Sequence, residues 1–165
     1  MVKKIVYLLL AFGLGSCGKD AERGNYTLPV EEIDAELGRA ILEAHQTFPA
    51  FIRKLQHPEP GETRFQVKYP FSADPGSGFR YEHLWLGDIT YQSGRYYGTL
   101  LNQPRYVSGL KAGDRLPFWG DAITDWMYRK DGMLVGGRTI KYLIERIPGP
   151  DRDAALRSYY RQFKD

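Results

Sequence analysis

Hydrophobic and polar positions alternate most clearly between Phe79 and Ile89. Phe79, Tyr81, His83, Trp85 and Ile89 take the odd positions, and Arg80, Glu82, Leu84, Leu86 and Asp88 the even ones. A period of two with this many aromatics predicts a β-strand, and apolar residues on both sides predict a central strand with both faces covered. Phe65, Val67, Tyr69 and Phe71 alternate with Gln66, Lys68 and Pro70 in an amphipathic strand, where Pro70 points to an edge or an end. Further strands are expected over residues 96–101, after a turn at 92–94, and over 116–119. A hairpin is expected from 123–128 and 133–135, around Lys130-Asp131-Gly132. The helical period governs the two ends. Leu37, Ile41, Ala44, Phe48, Phe51 and Leu55 recur at steps of three and four, so one face is apolar. The first helix is expected over residues 30–46, after Pro29 and with Glu31, Glu32 and Asp34 in its acidic start. Pro49 interrupts or kinks it and leaves 50–55 as a short helix of its own. Later helices are expected over 139–147, with Thr139 as N-cap, and over 151–163, with Leu156, Tyr159, Tyr160 and Phe163 on one face. Helix, then strands, then helices is the order of an α+β domain: a small antiparallel β-sheet packed with an N-terminal helix and C-terminal helices.

The first residues break this pattern. A basic start through Lys3 and Lys4 precedes an apolar run over residues 5–14, which suits a signal peptide and is too short to span a bilayer. Leu14-Gly15-Ser16-Cys17 follows and resembles a bacterial lipobox, in which the thiol takes the lipid and cleavage precedes the cysteine. The expected organisation is a signal peptide at 1–16, lipidated Cys17 with a flexible tether through 29, and one domain over 30–165. Several acyl chains of the palmitate type on one residue anchor a protein stably without a transmembrane helix. Gly18 after the cysteine favours the outer membrane, with the domain facing the periplasm.

Charge removes some partners. Of 23 basic side chains, cleavage would take Lys3 and Lys4, leaving 21 against 20 acidic ones. A near-neutral domain has no compositional patch for nucleic acid. Cys17 is the chain's only cysteine, so no disulfide forms within it, and three histidines give little material for zinc. The candidate chemistry is sparse. His83 is the available base. Glu82 beside it points to the opposite strand face, so the acids to consider as partners are Asp114, Asp121 and Asp125. In Asp125-Trp126-Met127-Tyr128, Trp126 and Tyr128 could stack against a ligand, with Asp125 accepting hydrogen bonds from a nearby loop. Gly136-Gly137-Arg138-Thr139 could form an anion nest ahead of a helix. His83, Trp85, Asp114, Asp125, Trp126 and Arg138 are therefore the candidate binding residues. His45 and His57 read as surface histidines. No nucleophile with a base at legible spacing, no cofactor motif and no metal motif is present.

Four blocks together resemble a known family. Glu82-His83-Leu84-Trp85, the run Gly98-Thr99-Leu100-Leu101-Asn102-Gln103-Pro104, Leu110-Lys111-Ala112-Gly113-Asp114, and Asp125-Trp126-Met127-Tyr128 through Gly136-Gly137-Arg138-Thr139 are similar to the signature blocks of the YegJ-like bacterial family, domain of unknown function 2314. The resemblance spans residues 35–143. It implies no activity and carries over no functional residue, and some members of the family have a signal or lipoprotein leader. The helix after Pro150 and the proline-rich 56–62 loop depart from it. The expectation is a lipid-anchored envelope protein that binds a periplasmic protein partner without catalysis, in its sharper form an immunity protein against a rival's toxin. The alternative is an envelope-acting enzyme that uses His83 with Asp114 or Asp125.

Overall fold

A computed structural model describes residues 4–8, 27–30, 35–146, 152–153 and 155–157. Six antiparallel strands form the body of the sheet: β3 (Glu62–Ser72), β4 (Phe79–Gln92), β5 (Arg95–Leu100), β6 (Arg115–Phe118), β7 (Asp125–Lys130) and β8 (Met133–Gly136). α1 (Ala35–Gln56) precedes them and α2 (Arg138–Ile144) follows. β3 lies between β4 and β7, β8 pairs with β7, and β5 joins β4 to β6. The α+β expectation holds, with the aromatic stretch as the long central strand.

Both faces of the sheet are covered. Val67, Leu84, Leu86, Trp126 and Tyr128 share one cluster with Ala44, Phe48 and Phe51 of α1. Trp85, Met127 and Leu134 share the other with Ile140, Tyr142, Leu143 and Ile144 around α2, and with Leu37 from the start of α1. The hairpin turns use left-handed pairs, Ser93-Gly94 at φ 49° and 80° and Asp131-Gly132 at φ 52° and 82°. Such pairs match the twist of the strands they join.

Several boundaries differ from the sequence expectation. α1 starts at Ala35 rather than Val30, and it continues through Pro49 to Gln56. Pro49 is on the exposed side of the helix, while Ala44, Phe48 and Phe51 keep the buried stripe unbroken across it. The nearby Ala44 carbonyl accepts a hydrogen bond from Trp126 Nε1 at 3.1 Å, tying the helix down beside the proline. His45 is half-buried rather than on the surface, and its ring bonds the Ile123 carbonyl. Pro70 lies in an interior strand, but beyond Lys68, the last β3 residue paired with β7. At that point β3 has a neighbour on one side only, so the missing N–H costs no ladder bond to β7.

Thr139 is not the N-cap of α2. Gly137 is, at φ 70°, and it has no side chain to cap with. Thr27–Val30, expected as tether and helix start, forms β2 and pairs antiparallel with β1 (Lys4–Leu8). β1 in turn lies parallel to β4, with Ile5 opposite Tyr81 and Tyr7 opposite His83. Cys17 and the rest of the expected leader lie outside the described residues. The last helix is described only at 152–153 and 155–157, where it is helical.

Candidate functional site

Register builds a buried polar cluster on the α2 face of the sheet. Lys68 of β3 pairs with Trp85 of β4 on one side and with Asp125 of β7 on the other. Directly paired residues point to the same face, and Pro70 opposite His83 adds the histidine to that face. Lys68 and Asp125 are 0% exposed and His83 is 3%. Lys68, read in the sequence as the polar side of an amphipathic strand, is thus wholly interior.

The hydrogen bonds form one chain. Lys68 Nζ donates to Thr139 Oγ1 at 2.8 Å, and that hydroxyl donates to Asp125 Oδ2 at 2.6 Å. Asp125 Oδ2 also accepts the Thr139 N–H at 2.8 Å, while Oδ1 accepts those of Trp126 and Arg138 at 2.8 and 3.2 Å. Asp125 therefore caps α2 from a neighbouring strand and takes over from the side chain that Gly137 lacks. The glycine-rich turn does hold an anion, and the anion is this carboxylate. The turn requires glycine at 136, where φ is 84° and a Cβ would come 2.3 Å from the Trp126 carbonyl. Lys68 Nζ also lies 4.7 Å over the Trp85 ring. His83 Nδ1 meets the Thr124 hydroxyl at 2.9 Å, and the Thr124 N–H bonds the Lys68 carbonyl at 2.8 Å.

Burial sets the protonation states. It pushes the Lys68 ammonium down to about 8 against the pull of Asp125. It holds His83 well below its ordinary value, with the Lys68 charge adding to the effect, so the ring is neutral. It raises Asp125, opposed by Lys68 and by the hydrogen bonds from Thr139 and Trp126. A neutral imidazole, an ammonium and a carboxylate on one face have the makings of acid–base chemistry, but burial gives a substrate no direct approach to them.

The other candidates lie apart. Trp126 is on the opposite face, where it packs 5.2 Å from Phe51 and donates from Nε1 to Ala44 and Thr47. Arg138 covers that ring at 4.7 Å and pairs with Glu43 at 2.8 Å. Asp114 closes the turn after Leu110: its carboxylate accepts the Lys111 N–H at 2.9 Å and its carbonyl accepts that of Leu100 at 2.8 Å. Glu82, on the strand face opposite His83, accepts the N–H groups of Arg105 and Tyr106. Asn102 Oδ1 accepts the Trp85 N–H at 2.7 Å, which locks the 101–106 loop along the edge of β4.

These interlocked segments are the four blocks singled out in the sequence. A family model described as an uncharacterized protein conserved in bacteria, DUF2314, matches residues 34–158. The chain belongs to this family. It is 36% identical over 89 residues to the uncharacterized protein YegJ of Escherichia coli strain K12, covering 54% of this chain and 56% of that one. It is 33% identical over 131 residues to a putative ankyrin repeat protein of Neisseria meningitidis serogroup B, covering 74% of this chain and 50% of the other. The chain thus spans about half the length of the curated relatives it matches. No solved structure matches it. In this DUF2314 domain, then, Glu82, Asn102, Asp114, Asp125 and Thr139 hold the fold through bonds to backbone or to one another.

Sequence reasoning missed Lys68 and the relay role of Thr139. The available signal was that His83 and Trp85, on the facing strand, are apolar or neutral, which left Lys68 no solvated side. Two further residues escaped notice. Arg64 and Asp88 are non-glycine residues at φ 54° and 46°, and both line a cavity of about 490 Å³.

Proposed function

We propose that this DUF2314 domain is held at the bacterial envelope by lipid on Cys17 and binds a protein partner without catalysing a reaction. The observation that carries the reading is a division of labour. The groups suited to chemistry are buried and committed to internal bonds, while large aromatic side chains are exposed at one end of the sheet. There Tyr91 is 57% exposed and Trp119 is 50% exposed. The Tyr91 ring packs tilted against Tyr96 at 4.8 Å, Tyr96 stacks on buried Phe118 at 5.3 Å, and Arg95 lies 4.4 Å over Trp119. Tyr, Trp and Arg anchored on a rigid core are the composition of binding hot spots. Leu14-Gly15-Ser16-Cys17 supports the anchor. Among the described residues no helix is long and apolar enough to cross a membrane. A partner delivered by a rival cell, the immunity version, suits a small domain concentrated where a toxin enters.

The anchor and the binding are tested together. Labelled palmitate and intact mass are read on wild type and Cys17→Ser, and membrane pull-downs compare wild type with Tyr91→Ala/Trp119→Ala, with circular dichroism to verify folding. Incorporation of label that depends on Cys17, and a stoichiometric protein partner lost in the folded double variant, are expected. Processing would also remove β1 and open the edge of β4. A native mass that retains residues 1–16 without lipid would sink the anchor. A partner kept by the double variant would sink the aromatic surface.

A further inference from the structure

The central sheet contains a fork. β3 and β4 pair from Ser72 opposite Tyr81 up to Val67 opposite Leu86, and there the ladder stops. Beyond it each strand follows its outer neighbour through an irregularity. The β3–β7 register shifts between Thr63 and Gln66, and the β4–β5 register shifts between Gly87 and Thr90. The left-handed residues Arg64 and Asp88 lie inside those two shifts. Two bulges at the same level pull neighbouring strands apart, and the gap is the cavity of about 490 Å³. Bulges of this kind re-aim side chains and end pairing.

Three features mark the gap. Arg64 and Asp88 both line it, both are exposed, and neither makes an ion pair or side-chain hydrogen bond among the described residues. Gln66 also lines it, and its Oε1 is buried without a hydrogen-bond partner among the described residues. Phe65, Ile89 and Leu101 supply apolar wall. The fork is also braced from outside: Arg115 bonds the Asp88 carbonyl at 3.0 Å and Thr90 Oγ1 at 2.6 Å. Burial lowers the pKa of Arg129, and the charge of nearby Arg64 adds to the effect, a repulsion that an incoming carboxylate would offset.

We propose that the fork between β3 and β4 binds a short extended peptide with free ends. Its carboxylate lies on Arg64, its ammonium on Asp88, and an apolar side chain lies against Phe65, Ile89 and Leu101. A cavity of a few hundred cubic ångströms with an apolar wall and a few convergent polar groups fits a small ligand. The proposal rests on reading the domain as a binder, and it names a site separate from the aromatic end.

The test is calorimetric titration of the full chain with Ala-Leu-Ala, its N-acetylated form and its C-terminal amide, on wild type, Arg64→Gly and Asp88→Asn. Glycine favours a left-handed backbone and asparagine tolerates it, so both variants keep the bulges, which circular dichroism checks. The free tripeptide is expected to bind wild type, with amidation or acetylation each weakening it about tenfold or more, since each removes a charge-assisted bond. Arg64→Gly is expected to abolish the difference between acid and amide only, and Asp88→Asn the difference between amine and acetyl only. No binding of any form to folded wild type at millimolar peptide overturns the proposal. So does a capping penalty that persists in the matching variant. A protein partner still captured through Tyr91 and Trp119 in either case would leave the function proposed above intact.

Discussion

Replacing Lys68 by Met tests whether the interior of the sheet carries a cation. Met has a similar volume and keeps the contact with Trp85, so the change removes little besides the amine. In the unfolded chain the amine titrates near 10.5, and in the native cluster it titrates near 8. Between these values the unfolded state binds the proton and the folded state does not, so wild-type stability rises with pH across this window and is lost again as pH falls through about 8. At about 1.4 kcal/mol per pH unit, keeping the protonated amine inside costs about 3 kcal/mol at neutral pH. Most of that, about 2 to 3 kcal/mol, is recovered between pH 7 and pH 10. Tyr69, Tyr96 and Tyr128, all raised by burial, titrate in both proteins and cancel in the difference. Urea unfolding of both proteins at pH 7, 8, 9 and 10 gives the difference directly, and equal m-values confirm that the same surface is being exposed. The stability of wild type relative to Lys68→Met should climb by about 2 to 3 kcal/mol over that range. Curves that stay parallel within about 0.5 kcal/mol, the scatter ordinary for independent changes, would refute a buried titrating lysine.

Three other outcomes follow from the same geometry. His83 is held neutral well below its ordinary value, so the unfolded chain gains a proton first as pH falls through 6.5. Wild type should then lose up to about 1.4 kcal/mol per pH unit between 6.5 and 5, and His83→Gln should lose less, as read by thermal melts. Gly136→Ala would drive a Cβ into the Trp126 carbonyl at 2.3 Å and impose φ 84° on alanine; a loss of about 3 kcal/mol or more, or no folded protein, is expected in denaturant melts. Arg64→Gly relieves a left-handed arginine at φ 54°. Glycine's entropic cost offsets part of the gain, so stability should stay equal or rise by about 1 kcal/mol, and a fall of that size in chemical melts would show that the bulge is unstrained.

Much of the fold was legible in the sequence because it rests on local rules. Alternation gave the long strand from Phe79 and the strand around Val67. Asp131-Gly132 and the turn ending at Gly94 gave the hairpins, and steps of three and four gave the buried stripe of α1. The failures occurred where a neighbour overrides a local preference. Pro49 stops a helix in isolation, but here it faces solvent while Phe48 and Phe51 pack on Trp126 and Tyr96. Thr139 is a good N-cap by type, yet Asp125 from β7 already satisfies the first turn, and the threonine hydroxyl is drawn into the bridge to Lys68. A cap supplied across the fold leaves no spacing along the chain to read.

Burial removes the reactive-looking residues from the surface a ligand can reach. A strand residue flanked by Val67 and Tyr69 is read as solvated only if its face is solvated, and register places Trp85 and Asp125 beside Lys68. Once that face is interior, the most reactive-looking residues become costly elements that must be fully bonded. Asp125, with four donors, Glu82, held by two backbone N–H groups, and Asn102, on Trp85, meet that demand. Groups consumed in this way have little capacity left for a ligand. Capacity remains where the structure leaves polar or aromatic groups uncommitted: at the aromatic end with Tyr91 and Trp119, and in the fork, where Arg64, Asp88 and Gln66 surround a gap that the sheet itself does not close.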